Sequence, residues 1–250
     1  MIDTRSFTTE PIQCRHIQSF VHRRSHFSKS QQTNYQRLLP IFGVPYIKLA
    51  NKQGINFEHL FGNNYPVVLE IGCGMGETTA AIAQACPNIN FLGIEVYNAG
   101  VATVLQRIEE LNLTNLRIVQ YDAIDVLRDM IPVNSLSGVH IFCPDPWPKA
   151  RHLKRRLIQT PFINQLQSYL KIGAYIHCAT DVQDYAAQML LVLNQQDTLK
   201  NLSPTTTINS ENIGYHPPKN PFTNRPTTKF EARGQRLGHG MWDLVFEKIK

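Results

Sequence analysis

The stretch Val67-Val68-Leu69-Glu70-Ile71-Gly72-Cys73-Gly74-Met75-Gly76-Glu77 decides the fold. A short apolar run ending in glycines at alternate positions reads as a buried strand that stops in a tight turn. The Ala-rich segment from Thr78 to Ala85, stopped by Pro87, reads as the helix that follows. That order puts the glycines at the carboxyl edge of a sheet, where the backbone can approach a ligand closely. Outward from this unit the alternation continues. Strands are predicted at 90–95, 116–121, 138–143, 174–179 and 241–249. Helices are predicted at 98–111, with Asn98 as N-cap, at 155–170, and from Asp181 to about 195. Strand and helix alternating over short connections predict βαβ units: an α/β fold, doubly wound, with a mostly parallel sheet covered on both faces.

The 250 residues, 42% apolar and 18% charged, describe one large domain or two small ones with ample core. No apolar run approaches the ~20 residues of a membrane helix, so no membrane is expected. The opening Met1-Ile2-Asp3-Thr4-Arg5 lacks an apolar h-region. The five cysteines, at 14, 73, 86, 143 and 178, form no Cys-x-x-Cys pair. Neither a disulfide framework nor a metal site is expected, and a reducing cytoplasm fits best. The first 60 residues read as a basic, partly flexible arm with one short helix near 30–39, and 61–250 as the domain. Within it, residues 203–227 form a long Pro/Asn/Thr-rich stretch, either a functional loop or a disordered insert.

The net charge is +6 and is unevenly spread. No acidic residue lies between Glu10 and Glu58, or between Asp145 and Asp181; from Asn212 to Phe230 only Lys219, Arg225 and Lys229 are charged. Three basic tracts suit a polyanion gripped from several sides, and equally suit solvated surface.

A dinucleotide fingerprint Gly-x-Gly-x-x-Gly would need glycine at 77, where Glu77 stands. The pattern is Glu-x-Gly-x-Gly-x-Gly, made by Glu70, Gly72, Gly74 and Gly76. Glu70 suits a ligand with an ammonium group and would repel a pyrophosphate. Glu95, ending the second strand, is placed to accept both hydroxyls of a ribose, and Asp122, ending the third, to meet an adenine amino group. The bland alternative is a bare turn with Glu95 as a helix-capping acid. Cys73, with no base near it in sequence, reads as a small loop filler. This constellation resembles the class I S-adenosylmethionine-dependent methyltransferases, which implies a Rossmann-like, seven-stranded sheet and S-adenosylhomocysteine as product.

After the fourth strand comes Pro144-Asp145-Pro146-Trp147-Pro148-Lys149-Ala150-Arg151-His152-Leu153-Lys154-Arg155-Arg156-Leu157. Three prolines in five residues stiffen the backbone beside Asp145 and Trp147. Aspartate there can hydrogen-bond a base edge, the indole offers an aromatic face, and the cations after it can meet phosphates. Taken singly, Trp147 is more often packed in a core and the basic run more often a solvated helix face. Together they favour a nucleic-acid substrate.

This segment resembles the signature of the bacterial tRNA (guanine-N7-)-methyltransferase family. Arg225-Pro226-Thr227-Thr228-Lys229-Phe230-Glu231-x-Arg233-Gly234-x-Arg236-Leu237-Gly238-His239 is similar to that family's second signature, and Ser19-Phe20-Val21 to its amino-terminal region. The resemblance implies methyl transfer to N7 of the guanine in the variable loop of tRNA, position 46. It implies Glu70, Glu95, Asp122 and Asp145 at S-adenosylmethionine, with Asp145 also catalytic. It implies Lys149, Asp181, Thr228, Lys229, Phe230 and Glu231 at the substrate, and Arg151, Lys154, Arg155 and Arg156 on the RNA. No obligatory protein partner is expected, the chain acting as monomer or homodimer. Ala150 stands where a second lysine is common, and Gln18 where arginine often precedes Ser-Phe. Two competitors remain: an adenine-N6-type base methyltransferase, since Asp145-Pro146-Trp147 resembles Asp-Pro-Pro-Tyr, and a catalytically inactive RNA-binding module on the same fold.

Overall fold

The computed structural model describes residues 18–20, 27–48, 54–203, 208, 225–227, 231–232, 236 and 240–250. The chain divides into two units, Met1–Pro132 and Val133–Lys250.

The first unit runs α1 (Lys29–Phe42), β1 (Gly43–Val44), α2 (Phe57–Phe61), β2 (Val67–Ile71), α3 (Glu77–Ala85), β3 (Asn90–Ile94), α4 (Asn98–Glu110), β4 (Leu116–Val119) and α5 (Ala123–Met130). Its strands are parallel, in the order β1-β4-β3-β2. Every residue of β2 and β3 is buried, as the unbroken apolar runs require of a strand covered on both faces. Ile71 pairs in register with Ile94, and Ile94 with Val119, so the three strands end side by side.

Part of the expected arm belongs to the body of this unit. Helix α1 is longer than the predicted 30–39: it starts at Lys29, where Ser28 and Gln31 form a reciprocal capping box, and it runs on through Pro40 to Phe42. It buries Leu38 and Leu39 and lies along α4, where Arg37 forks onto the Glu109 carboxylate and Asn34 donates to Gln106 at 3.2 Å. The Arg117 guanidinium lies against the rings of Phe42 and Phe61, 6.0 and 5.7 Å from their centroids. The cap of α4 is Tyr97, not Asn98. Asn98 instead accepts from Gln120 at 2.6 Å, which takes its side chain away from the helix end.

The second unit runs β5 (Leu136–Phe142), a 3-10 segment (Ala150–Arg155), α6 (Thr160–Tyr169), β6 (Leu170–Thr180), α7 (Gln183–Asn194), β7 (Leu199–Asn201) and β8 (Trp242–Lys248). Strand order is β5-β6-β8-β7, the first pair parallel and the other two antiparallel. The helix expected over 155–170 begins only at Thr160, with Pro161 in its first turn and the basic run held apart as the 3-10 segment. The carboxyl end of α6 is satisfied from β8: the buried Lys248 ammonium donates to the carbonyls of Gln167 and Leu170, both at 2.9 Å. Helix α7 starts at Gln183, two residues beyond Asp181.

The fold is the expected α/β arrangement with a mostly parallel sheet. Eight strands stand among the described residues where seven were expected. The apolar pattern shows neither β1 nor β7, of two and three residues. Most of 203–227 lies outside the described residues.

Candidate functional site

In the first unit the loop from β2 to α3 turns on Gly72, Gly74 and Gly76, all in the left-handed region at φ 77, 54 and 69. The amides of Gly72 and Cys73 both donate to the Ile94 carbonyl, at 2.8 and 3.3 Å, tying the loop to β3. A Cβ placed on Gly72 or Gly74 would meet nothing within 4 Å, so the loop borders open space there. At Gly76 it would come 2.5 Å from Val104, and on Gly100 it would come 2.6 Å from the Gly74 carbonyl oxygen. Sequence reasoning missed Gly100; its only signal is a glycine in the first turn of an otherwise ordinary helix.

Three buried carboxylates stand at the ends of β2, β3 and β4. Glu70, 3% exposed, accepts from the Thr79 hydroxyl at 2.8 Å. Glu95 accepts three backbone amides: Gly74 at 2.7 Å on Oε2, and Val96 and Tyr97 at 2.8 and 3.0 Å on Oε1. It therefore fixes the two residues that lead into α4 and pins the glycine loop, without bonding the first-turn amides of that helix. Asp122 is the N-cap of α5, accepting from Ile124 at 2.8 Å. Burial first, then the Glu95 and Glu70 carboxylates, push the Cys73 thiol well above its ordinary range, which agrees with a loop filler.

In the second unit Asp145 is half-buried in the 144–148 loop, which begins just past β5. Two non-glycine residues of this turn, Cys143 at φ 48 and Trp147 at φ 44, occupy the left-handed region. Trp147 is not an open stacking platform. The residue is 9% exposed, with the Arg155 guanidinium 4.1 Å from the ring centroid and His152 edge-on at 5.7 Å.

The basic run splits by exposure. Lys149, Arg151 and Lys154 are exposed, and Arg155 is half-buried against the indole. Arg156, expected on the RNA, is 4% exposed and turned inward, because Asp184, Gln188 and the Pro146 carbonyl take up its donors. Asp181 is half-buried, immediately after β6. Thr228, Lys229 and Phe230 lie outside the described residues. Glu231, expected at the substrate, has its buried carboxylate gripped by Arg225 through two bonds of 2.5 and 3.0 Å.

Arg225 also forks onto Asp243 at 2.9 and 3.0 Å, and Asp243 accepts from His177 Nε2 at 2.7 Å. Burial acts to raise the Asp243 carboxyl, but the hydrogen bonds from His177 and Arg225 outweigh it and hold the group at about 2. Burial keeps the His177 imidazole below its ordinary value, hence neutral. Sequence reasoning did not assign Arg225, Asp243 or His177 a role. A carboxylate and an imidazole inside apolar strands were the available signal, since such groups are seldom buried without partners.

Among the described residues no group of three or more His, Cys, Asp or Glu side chains could hold a metal ion, and no helix is long and apolar enough to cross a membrane.

Residues 64–244 match the model of a family described as "putative methyltransferase". A tRNA (guanine-N(7)-)-methyltransferase of Bordetella pertussis is 52% identical over 93% of this chain and 85% of its own length. Relatives of the same name from Dechloromonas aromatica and Nitrosospira multiformis are 51% and 47% identical, over 93% and 94% of this chain and 88% and 95% of theirs. Among solved structures, the 16S rRNA methyltransferase KamB is similar in fold, with a TM-score of 0.51 at 13% identity over 82% of this chain and 96% of that one. Identity near one half over nine-tenths of the sequence leaves one conclusion: the chain belongs to the tRNA (guanine-N(7)-)-methyltransferase family.

Proposed function

We propose that the protein transfers a methyl group from S-adenosylmethionine to N7 of the guanine at position 46, in the variable loop of tRNA, in the cytoplasm. The observation that carries the cofactor half is the register of β2, β3 and β4, which ends three adjacent parallel strands in Glu70, Glu95 and Asp122 around a glycine loop open at Gly72 and Gly74. That donor set fits a ligand with an ammonium group, a ribose and an adenine: acidic oxygens to accept from each, and a backbone stripped of Cβ atoms beside them. Glu70 would hold the ammonium, Glu95 the ribose hydroxyls and Asp122 the adenine amino group. The bound cofactor supplies an electrophilic sulfonium methyl.

Guanine N7 carries an in-plane lone pair and no proton, so no strong general base is required of the chain. What its residues must do is orient the purine and offset the positive charge that grows on it. Asp145 is suited to both, accepting from guanine N1–H or N2–H₂ while its charge opposes the one that develops. Lys149 and Asp181 flank the base in this reading. The exposed Arg151 and Lys154 meet the phosphates, where positive charge gives affinity without base readout.

The test is transfer of labelled methyl to tRNA lacking the modification, followed by nucleoside analysis. 7-Methylguanosine is the expected product. N6-methyladenosine would move the protein to the exocyclic-amine class. Cofactor binding without turnover would leave an RNA-binding module.

A further inference from the structure

Resting on that reading, we propose that Arg156 is a positioning residue for methyl transfer, holding the 144–148 loop in the shape that presents Asp145, and that it makes no phosphate contact. Its Nε donates to the Pro146 carbonyl at 2.7 Å, one residue beyond Asp145. Its Nη1 donates to Gln188 at 2.8 Å and its Nη2 to Asp184 at 2.6 Å, both on α7. Its guanidinium also lies 4.6 Å from the Tyr185 ring centroid, so one side chain ties the loop to one helix face. That face is itself fastened to the chain just after Arg156: the Ile158 amide donates to the Tyr185 hydroxyl at 3.2 Å, and Gln188 donates to the Ile158 carbonyl at 2.9 Å.

The loop needs such a tie. Three of its five residues are proline and offer no amide of their own, so its carbonyls depend on outside donors. Cys143, just before it, and Trp147, within it, hold left-handed conformations that non-glycine residues keep only where the surroundings over-determine them. The Cys143 amide, donating to the Ala179 carbonyl at 2.8 Å, fixes one end. Arg156 fixes the other. At 4% exposure it has no open face for a phosphate. A lysine could reach one of these acceptors but lacks the planar fork that serves three at once.

The experiment compares Arg156→Lys, Asp184→Asn and, as a contrast, Arg151→Gln. Three quantities are measured: single-turnover rate on saturating unmodified tRNA, tRNA affinity over a salt series, and cofactor affinity. Each is taken below the variant's melting midpoint. Arg156→Lys is expected to slow single turnover by roughly ten- to a hundredfold, the scale of a misplaced catalytic group. Its tRNA affinity, salt slope and cofactor affinity stay at wild-type values. Asp184→Asn, which keeps an acceptor but removes the charge at one of the three anchors, a 64%-exposed carboxylate, moves the rate in the same direction by less. Arg151→Gln, at a residue read as a phosphate contact, is expected to give a shallower salt slope. A wild-type rate in Arg156→Lys overturns the proposal, and so does a shallower salt slope with the rate retained. If Arg156→Lys does not fold, an unchanged rate in Asp184→Asn overturns it. Failure of the wild type to make 7-methylguanosine overturns the functional reading instead, and is seen before any variant is made.

Discussion

Glycine 100 shows how one missing carbon can shape a ligand site. Its Cα lies so near the Gly74 carbonyl that a methyl group would stand 2.6 Å from the oxygen, and that neighbour is backbone, which cannot swing aside. Gly100→Ala is therefore expected to shift the glycine loop while leaving α4 intact, because alanine favours helix over glycine. Calorimetric titration should find S-adenosylmethionine affinity reduced about tenfold or more, the loss of one charge-assisted bond or its equivalent. An alanine variant binding the cofactor like the wild type would mean that the loop's position does not matter to the ligand. The carboxylates around this loop were legible because each ends a strand that announces itself as an apolar run. The internal pairings of Arg156 and Glu231 were not legible, for the opposite reason. Their partners, Asp184, Gln188 and Arg225, are recognised only after helix and loop have packed, and no local spacing encodes that.

At the scale of elements, long apolar segments were readable and short or charged ones were not. Strands β2, β3, β5 and β6 appear in the sequence as largely apolar runs and in the structure as mostly buried strands. Helix α5 escaped notice because its eight residues include Asp125, Arg128 and Asp129, which pair among themselves. The basic segment Ala150–Arg155 is the element with the clearest test. Its tight 3-10 turn leaves Arg151 and Lys154 exposed while Arg155 folds over Trp147. Neutralising Arg151 and Lys154 together should lower the log–log salt slope of tRNA binding by roughly one to two, since each phosphate contact releases about one counterion. An unchanged slope would make this segment ordinary solvated surface.

For the molecule as a whole, the buried Arg225–Glu231–Asp243–His177 cluster sets the response to acid. Asp243 titrates at about 2 when folded and near the ordinary value of 3.8 when unfolded. A carboxyl depressed in this way contributes stability above its unfolded value, and that contribution is lost as pH falls through the folded one. The loss, roughly 2 kcal/mol, belongs to the window between about pH 4 and pH 2. His177 adds an earlier step of the same sign. Its folded value lies below its unfolded one, so stability begins to fall as pH drops under about 6.5. Chemical denaturation from pH 7 to pH 2 should show both declines, the first abolished in His177→Gln. A midpoint flat between pH 7 and pH 5 would rule out a buried neutral imidazole. The three amides gathered by Glu95 carry a different consequence, one for redesign. The side chain expected to choose the ligand's sugar is also the one that sculpts its own binding loop, so selection on either trait drags the other along. Retargeting this scaffold to another nucleoside would have to start at Asp122, whose amide bonds are to the first turn of α5 and not to the glycine loop.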